Sequence, residues 1–183
     1  MNERQILEHL REEDSKDLFK EADRVRREYM GDAIHLRGLL EFSNMCGRDC
    51  LYCGLRCSNQ HIDRYCMDPE EMFQSVKEAC ELGYKSFVLQ SGESCRFPVD
   101  VLGQLITRIK DSFDVAITLS VGEKTYEEYA LLKRSGADRY LLRFETSNKA
   151  LFRSLKLDSS YEERMQCLRW LKELDYQVGS GIM

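Results

Sequence analysis

Cys46, Cys50 and Cys53 lie in the run Glu41-Phe-Ser-Asn-Met-Cys-Gly-Arg-Asp-Cys-Leu-Tyr-Cys-Gly-Leu-Arg56, spaced C-x3-C-x2-C with Tyr52 directly before the third cysteine. Three thiolates so close together can hold three irons of a [4Fe–4S] cluster. The fourth iron then has no protein ligand, and an open metal position is where a small molecule can bind and be activated. The cysteines are therefore candidate metal ligands and candidate catalytic groups. One molecule suited to the open iron is S-adenosylmethionine (SAM), through its amino and carboxylate groups. Two other readings stay open. Cys57 places a fourth thiol within the same short run, enough for an all-thiolate zinc site. A fully ligated ferredoxin-type cluster is the second, although that run has a first gap of two and a Pro after its last Cys, where this chain has a gap of three and Ser58.

These residues need a scaffold. From Arg37 on, strand-like and helix-like segments alternate. Strands are expected at Arg37–Ser43, Lys85–Ser91, Val115–Ser120 and Asp138–Thr146. Helices are expected at Met67–Leu82, Val99–Asp111, Thr125–Arg134 and Tyr161–Leu174, and Tyr176–Met183 opens a fifth strand. Asp68-Pro69 is an N-cap followed by Pro at the first helical position. Units of this size imply parallel strands with right-handed crossovers. A closed (β/α)8 TIM barrel needs eight units and typically about 250 residues. This chain supplies four units and part of a fifth, so residues 37–183 read as the N-terminal part of a truncated barrel. A complete small open α/β sheet is the alternative. Residues 1–36 read as an N-terminal helical extension, with one or two helices over 3–30 and a stop at Gly31.

In parallel α/β folds chemistry gathers at the C-terminal ends of strands. Alternation puts Ala116, Thr118 and Ser120 on one face of the third strand, and sets Ser86, Val88 and Gln90 against Phe87, Leu89 and Ser91 in the second. Glu41 and Ser43 end the first strand on one face. Leu141, Arg143 and Glu145 share a face of the fourth, which places a charged pair where burial is expected.

The chain has 183 residues, 43% of them hydrophobic, and a net charge of -5. That is enough apolar content for one buried core, and the charge argues against a nucleic-acid or membrane-surface binder. The N-terminus has no apolar signal-peptide region, so the eight cysteines read as reduced and the location as cytoplasmic. Cys80 and Cys167 fall in apolar helical patterns as small buried hydrophobes; Cys66 and Cys95 lie in loops.

The cysteine motif with its preceding aromatic, set after a strand and before βα units, resembles the radical SAM superfamily. The stretches Arg37-Gly-Leu-Leu-Glu-Phe-Ser-Asn44, Cys50-Leu-Tyr-Cys-Gly-Leu-Arg56, Val88-Leu-Gln-Ser-Gly-Glu93 and Gly136-Ala-Asp-Arg-Tyr-Leu-Leu-Arg143 resemble, within it, the HydE family of [FeFe]-hydrogenase maturases. The resemblance runs from about Arg37 to Met183. It implies a [4Fe–4S] cluster on Cys46, Cys50 and Cys53, Tyr52 beside the adenine of SAM, and Ser91, Ser120, Arg143, Glu145 and Arg164 around SAM. It implies Gln90 and Thr118 facing the substrate. It also implies a small-molecule or organometallic substrate, a flavodoxin- or ferredoxin-type electron donor, other hydrogenase maturases as partners, and a role in assembly of the hydrogenase active-site cofactor. The pyrrolysine-pathway methylornithine synthase is the alternative enzyme, and an iron–sulfur or zinc module the non-enzymatic one. Two departures stand out: Phe144 where the family has His, and Gly92-Glu-Ser-Cys95 where it tends to Gly-Glu-Asp-Pro. By alternation Phe144 points away from the face of Glu145.

Overall fold

The computed structural model describes residues 2–93 and 97–183, so Cys95 lies outside the described residues. Two compact units are present, Met1–His35 and Leu36–Met183. The first holds helices α1 (Glu3–Arg11) and α2 (Lys16–Met30). Asn2 and Gln5 form a capping box at α1, and α2 ends on Gly31. Neither helix has a buried residue, and Phe19, Val25 and Tyr29 are exposed.

The second unit holds β1 (Gly38–Ser43), α3 (Pro69–Glu81), β2 (Ser86–Ser91), α4 (Val99–Ser112), β3 (Ala116–Ser120), α5 (Tyr126–Arg134), β4 (Arg139–Leu141), α6 (Lys149–Leu155), α7 (Tyr161–Glu173) and β5 (Gln177–Gly179). The five strands are all parallel and stand in chain order. Alternation in β2 and β3 sends Phe87, Leu89, Ile117 and Leu119 into the core with Met72, Val76, Leu102, Ile106, Ile109, Leu132 and Leu171 from the helices. Each such side chain contributes about 1.5–3 kcal/mol on burial. The opposite face, with Val88, Gln90, Thr118 and Ser120, is half-buried. Cys167 is buried in the core; Cys80 is half-buried at its margin. No helix among the described residues is long and apolar enough to cross a membrane.

The helix starts follow local chemistry. Asp68 with Glu71, Thr125 with Glu128 and Ser160 with Glu163 each form a capping box. Asp68→Ala is expected to lower stability by about 1 kcal/mol, read as a lower urea midpoint at unchanged m-value. The turns after α3 and α5 use Gly83 and Gly136 at φ 93° and 109°, a region that side chains other than glycine rarely adopt.

Three expectations are corrected. The fourth strand does not reach Thr146: the β4 ladder stops at Leu141, and Glu145 has a left-handed φ of 67°. Strict alternation therefore fails beyond Leu141, and with it the expected buried Arg143–Glu145 pair. Arg143 is exposed and forms no ion pair with Glu145. The inference about Phe144, which used the same alternation, loses its basis; Phe144 is half-buried. Second, Glu41 and Ser43 do not share a face. The register slips between them, Glu41 facing Gln90 and Ser43 facing Ser91, so Glu41 is exposed while Ser43 is buried. Third, α6 is an additional short helix, started by Asn148, whose side chain accepts from the backbone of Ala150 and Leu151.

Candidate functional site

The long β1–α3 connection carries the three cysteines. Arg64 holds it in shape: its guanidinium donates to the carbonyls of Asn44 (2.6 Å), Leu55 (2.9 Å), Arg56 (2.8 Å) and Asn59 (3.2 Å). Buried Ser43 donates through Oγ to the Tyr65 carbonyl at 3.0 Å and accepts from Met45 N at 3.2 Å. Tyr65 Oη donates to the Glu41 carbonyl at 2.7 Å. The loop is thus tied to β1 at both ends. Cys46, Cys50 and Cys53 are half-buried free thiols, whereas Cys57 is exposed. The backbone N–H of Arg48 points at Cys46 Sγ, 3.4 Å away.

Such a donor set fits a cluster carrying three thiolates: free sulfurs on one short loop, partly shielded from water, with a backbone N–H directed at one of them. Among the described residues, no three Cys, His, Asp or Glu side chains converge on a point that a single metal ion could occupy.

Arg48, between the first two cysteines, clamps this loop to the strand ends. Its Nε donates to Glu93 Oε1 at 2.6 Å and its Nη2 to Glu123 Oε2 at 2.9 Å. Its Nη1 donates to the carbonyl of Asp158. Burial opposes the charge on Arg48, but Glu93 and Glu123 more than offset it, so its pKa lies above the ordinary value. Asp49 N donates to Asp158 Oδ2 at 2.9 Å, and Gly47 N to the Glu93 carbonyl at 2.7 Å. Glu123 also accepts from Ser159 Oγ at 2.8 Å and faces Arg164 Nε at 2.8 Å.

Arg164 is 3% exposed and pairs with the largely buried Glu123 side chain, although its Nε makes no well-aligned hydrogen bond. Tyr52 is part-exposed; burial, then the Glu145 carboxylate beside it, hold its phenol well above the usual range. Glu145 is held in its left-handed conformation by Glu145 N donating to the Gly181 carbonyl at 3.1 Å and Met183 N donating to the Glu145 carbonyl at 3.0 Å. Strain of this sort persists only where the surroundings enforce it.

Gln90 Nε2 donates to Glu41 Oε1 at 3.2 Å, and Gln90 pairs in register with Ser120. Thr118 pairs with Val88 and Arg139. Ser91 Oγ donates to the Gly92 carbonyl at 2.8 Å. Of the expected residues, Cys46, Cys50 and Cys53 lie on one loop with Tyr52 between the last two, and Arg164 is buried against Glu123. Gln90, Thr118 and Ser120 share the half-buried sheet face, and Arg143 is exposed. Sequence reasoning missed Arg48, Arg64 and Glu123. For Arg48 there was a signal, since it is a charged residue between two ligands. Arg64 and Glu123 carry none, because their partners come from other segments.

The chain belongs to the radical SAM superfamily, whose family model matches residues 40–183. These are enzymes that use a [4Fe–4S] cluster and SAM. Among individual relatives, the chain is 49% identical over 166 residues to the [FeFe] hydrogenase maturase subunit HydE of Thermotoga maritima, covering 91% of this chain and 47% of that protein. It is 27% identical over 182 residues to the 3-methylornithine synthase of Methanosarcina acetivorans, covering 98% of this chain and 52% of that one. The crystal structure of methylornithine synthase (PylB) superposes with a TM-score of 0.85 at 27% identity, over 92% of this chain and 52% of that chain. The chain thus spans about half the length of the curated relatives it matches.

Proposed function

We propose that Cys46, Cys50 and Cys53 hold three irons of a [4Fe–4S] cluster and that SAM binds at the fourth. Tyr52 stands beside the adenine. Ser91, Ser120, Arg143, Glu145 and Arg164 surround the rest of SAM, and Gln90 and Thr118 face the substrate. The observation that carries this reading is the loop itself: three free thiols held by Arg48 and Arg64 at the C-terminal end of the first strand. When reduced, the bound cluster supplies the electron that cleaves SAM to methionine and a 5′-deoxyadenosyl radical. The chain's own groups orient and shield. Arg164 brings a buried guanidinium already paired with Glu123, Glu145 an anion for a cationic group, and the loop covers the strand ends.

The 49% identity to HydE supports a role for the whole protein in assembling the [FeFe]-hydrogenase active-site cofactor. Its substrate would be small, molecular or organometallic. A flavodoxin- or ferredoxin-type donor would supply electrons in the reducing cytoplasm, and other hydrogenase maturases would act before and after it. The structural likeness to PylB supports methylornithine synthesis as a second reading.

The anaerobically reconstituted full-length protein is expected to release 5′-deoxyadenosine when given dithionite and SAM. Absence of product, with one zinc per chain, would overturn the radical reading. Deleting the gene is expected to abolish hydrogenase activity. A host without any [FeFe] hydrogenase would favour the methylornithine reading.

A further inference from the structure

Lys156 directly follows α6 and is 5% exposed. A buried ammonium is costly unless an anion or several acceptors face it. Among the described residues no carboxylate lies within ion-pair distance of Lys156; the lysine pairs run through Lys16, Lys20, Lys110 and Lys149. Its ring neighbour, Phe152, has its centroid 6.0 Å from Nζ, at the outer limit of a useful cation–π contact. The ring is therefore no substitute for a counter-ion.

What the backbone sets against Lys156 is Cys50. The two residues form an isolated antiparallel bridge, and Leu51 N donates to the Leu155 carbonyl at 2.9 Å. Residues directly opposed in this way carry their side chains next to each other. So this largely buried lysine has no carboxylate partner among the described residues and stands opposite a thiol that becomes anionic as a cluster ligand.

From this geometry we infer that Lys156 is the electrostatic partner of the cluster. Three thiolates outweigh the positive charge of the iron–sulfide core, so the cluster is anionic, and one-electron reduction makes it more so. A fixed cation at the Cys50 side favours the reduced state and raises the reduction potential. Lys156 thus tunes the readiness of the cluster to accept the electron from its donor, and it transfers no proton or group itself. The inference rests on the reading that Cys46, Cys50 and Cys53 hold the cluster.

The test is a mediated, dithionite-driven redox titration of the reconstituted full-length protein, followed by electron paramagnetic resonance without SAM or substrate. Lys156→Met is expected to shift the midpoint to more negative potential, and Lys156→Arg to hold it near wild type. A second measurement uses the cluster-free protein, where Lys156→Met removes the charge of a largely buried lysine without a carboxylate partner and is expected to raise the thermal midpoint. An unchanged potential in Lys156→Met at wild-type iron and sulfide content would overturn the proposal. So would a cluster-free Lys156→Met less stable than wild type, or loss of cluster uptake in both Lys156→Met and Lys156→Arg. Loss confined to Lys156→Met supports it. Wild-type protein that takes up no iron or sulfide fails the cluster reading itself. Because no SAM or substrate is present, failure of the maturase assignment leaves the outcome unaffected.

Discussion

Gly92→Ala is expected to abolish cluster binding while the α/β sheet stays folded. A Cβ at position 92 would stand 2.4 Å from the Met45 carbonyl oxygen, 2.8 Å from its carbon and 2.9 Å from Cys46 Cβ. Two of these atoms are backbone and the third is the first atom of a short side chain, so none can swing aside. Relief requires the cysteine loop to move away from the end of β2. That movement would strain or break the hydrogen bonds from Gly92 N to the Ser43 carbonyl (2.9 Å) and from Gly47 N to the Glu93 carbonyl (2.7 Å). The stability cost is that of local overpacking, about 1–3 kcal/mol. The cost to function is larger, since Cys46 would be displaced relative to the loop's anchor on β2, and a ligand misplaced by an ångström is a poor ligand. Iron and sulfide per chain, with circular dichroism as the check on folding, decide the matter. Wild-type iron content in Gly92→Ala would refute the account. Gly54→Ala is the control: a Cβ there meets nothing within 4 Å and the residue is not left-handed, so no change is expected.

The sheet was legible in the sequence because alternation and caps are local. Phe87 with Leu89 and Ile117 with Leu119 repeat every second residue, and Asp68-Pro69 writes a helix start in two letters. Alternation ceases to inform where the ladder stops. In Tyr140-Leu-Leu-Arg-Phe the residues still look like strand, but the regular ladder breaks after Leu141 and resumes only as an isolated bridge at a left-handed glutamate. No local signal marks that turn, because Glu145 is held there by the backbone of Gly181 and Met183, some forty residues further along. The slip between Glu41 and Ser43 escaped for a related reason, since it is a property of two paired strands. Helix α6 has seven residues, too few to display a period of 3.6. At the site, the cysteines were legible because ligand spacing is local. Arg164, on α7, came only from the resemblance. The charged network around Arg48 spans 45 residues to Glu93 and 75 to Glu123, and only folding brings these groups together.

Arg48→Met should damage the same loop by a different physical route. Arg48 is the cation shared by Glu93 and Glu123, whose side chains are only 15% and 9% exposed. Removing one partner of a buried pair costs about 3–5 kcal/mol, because the other charge is left uncompensated. Arg48 itself is 30% exposed, so solvent screening lowers the expected loss to about 2–3 kcal/mol. Glu123 keeps Arg164 and Ser159, but Glu93 loses its ion-pair partner and the loop loses its tie to the Asp158 carbonyl. With Arg164 as the cation still paired with Glu123, the guanidinium proposed for SAM is drawn more tightly to a protein carboxylate. SAM affinity should therefore fall along with iron retention. Arg48→Lys should rescue only in part, since a single ammonium cannot match a planar fork that reaches two carboxylates and a carbonyl. The discriminating variant is the double substitution Arg48→Met with Glu93→Gln. It removes the stranded charge, so it should recover stability relative to Arg48→Met alone without restoring the clamp. Recovery of stability with iron retention still low separates positioning from simple folding. If Arg48→Met retains its iron and shows the wild-type change in the resonance spectrum on adding SAM, the clamp is not what holds the cysteines in place.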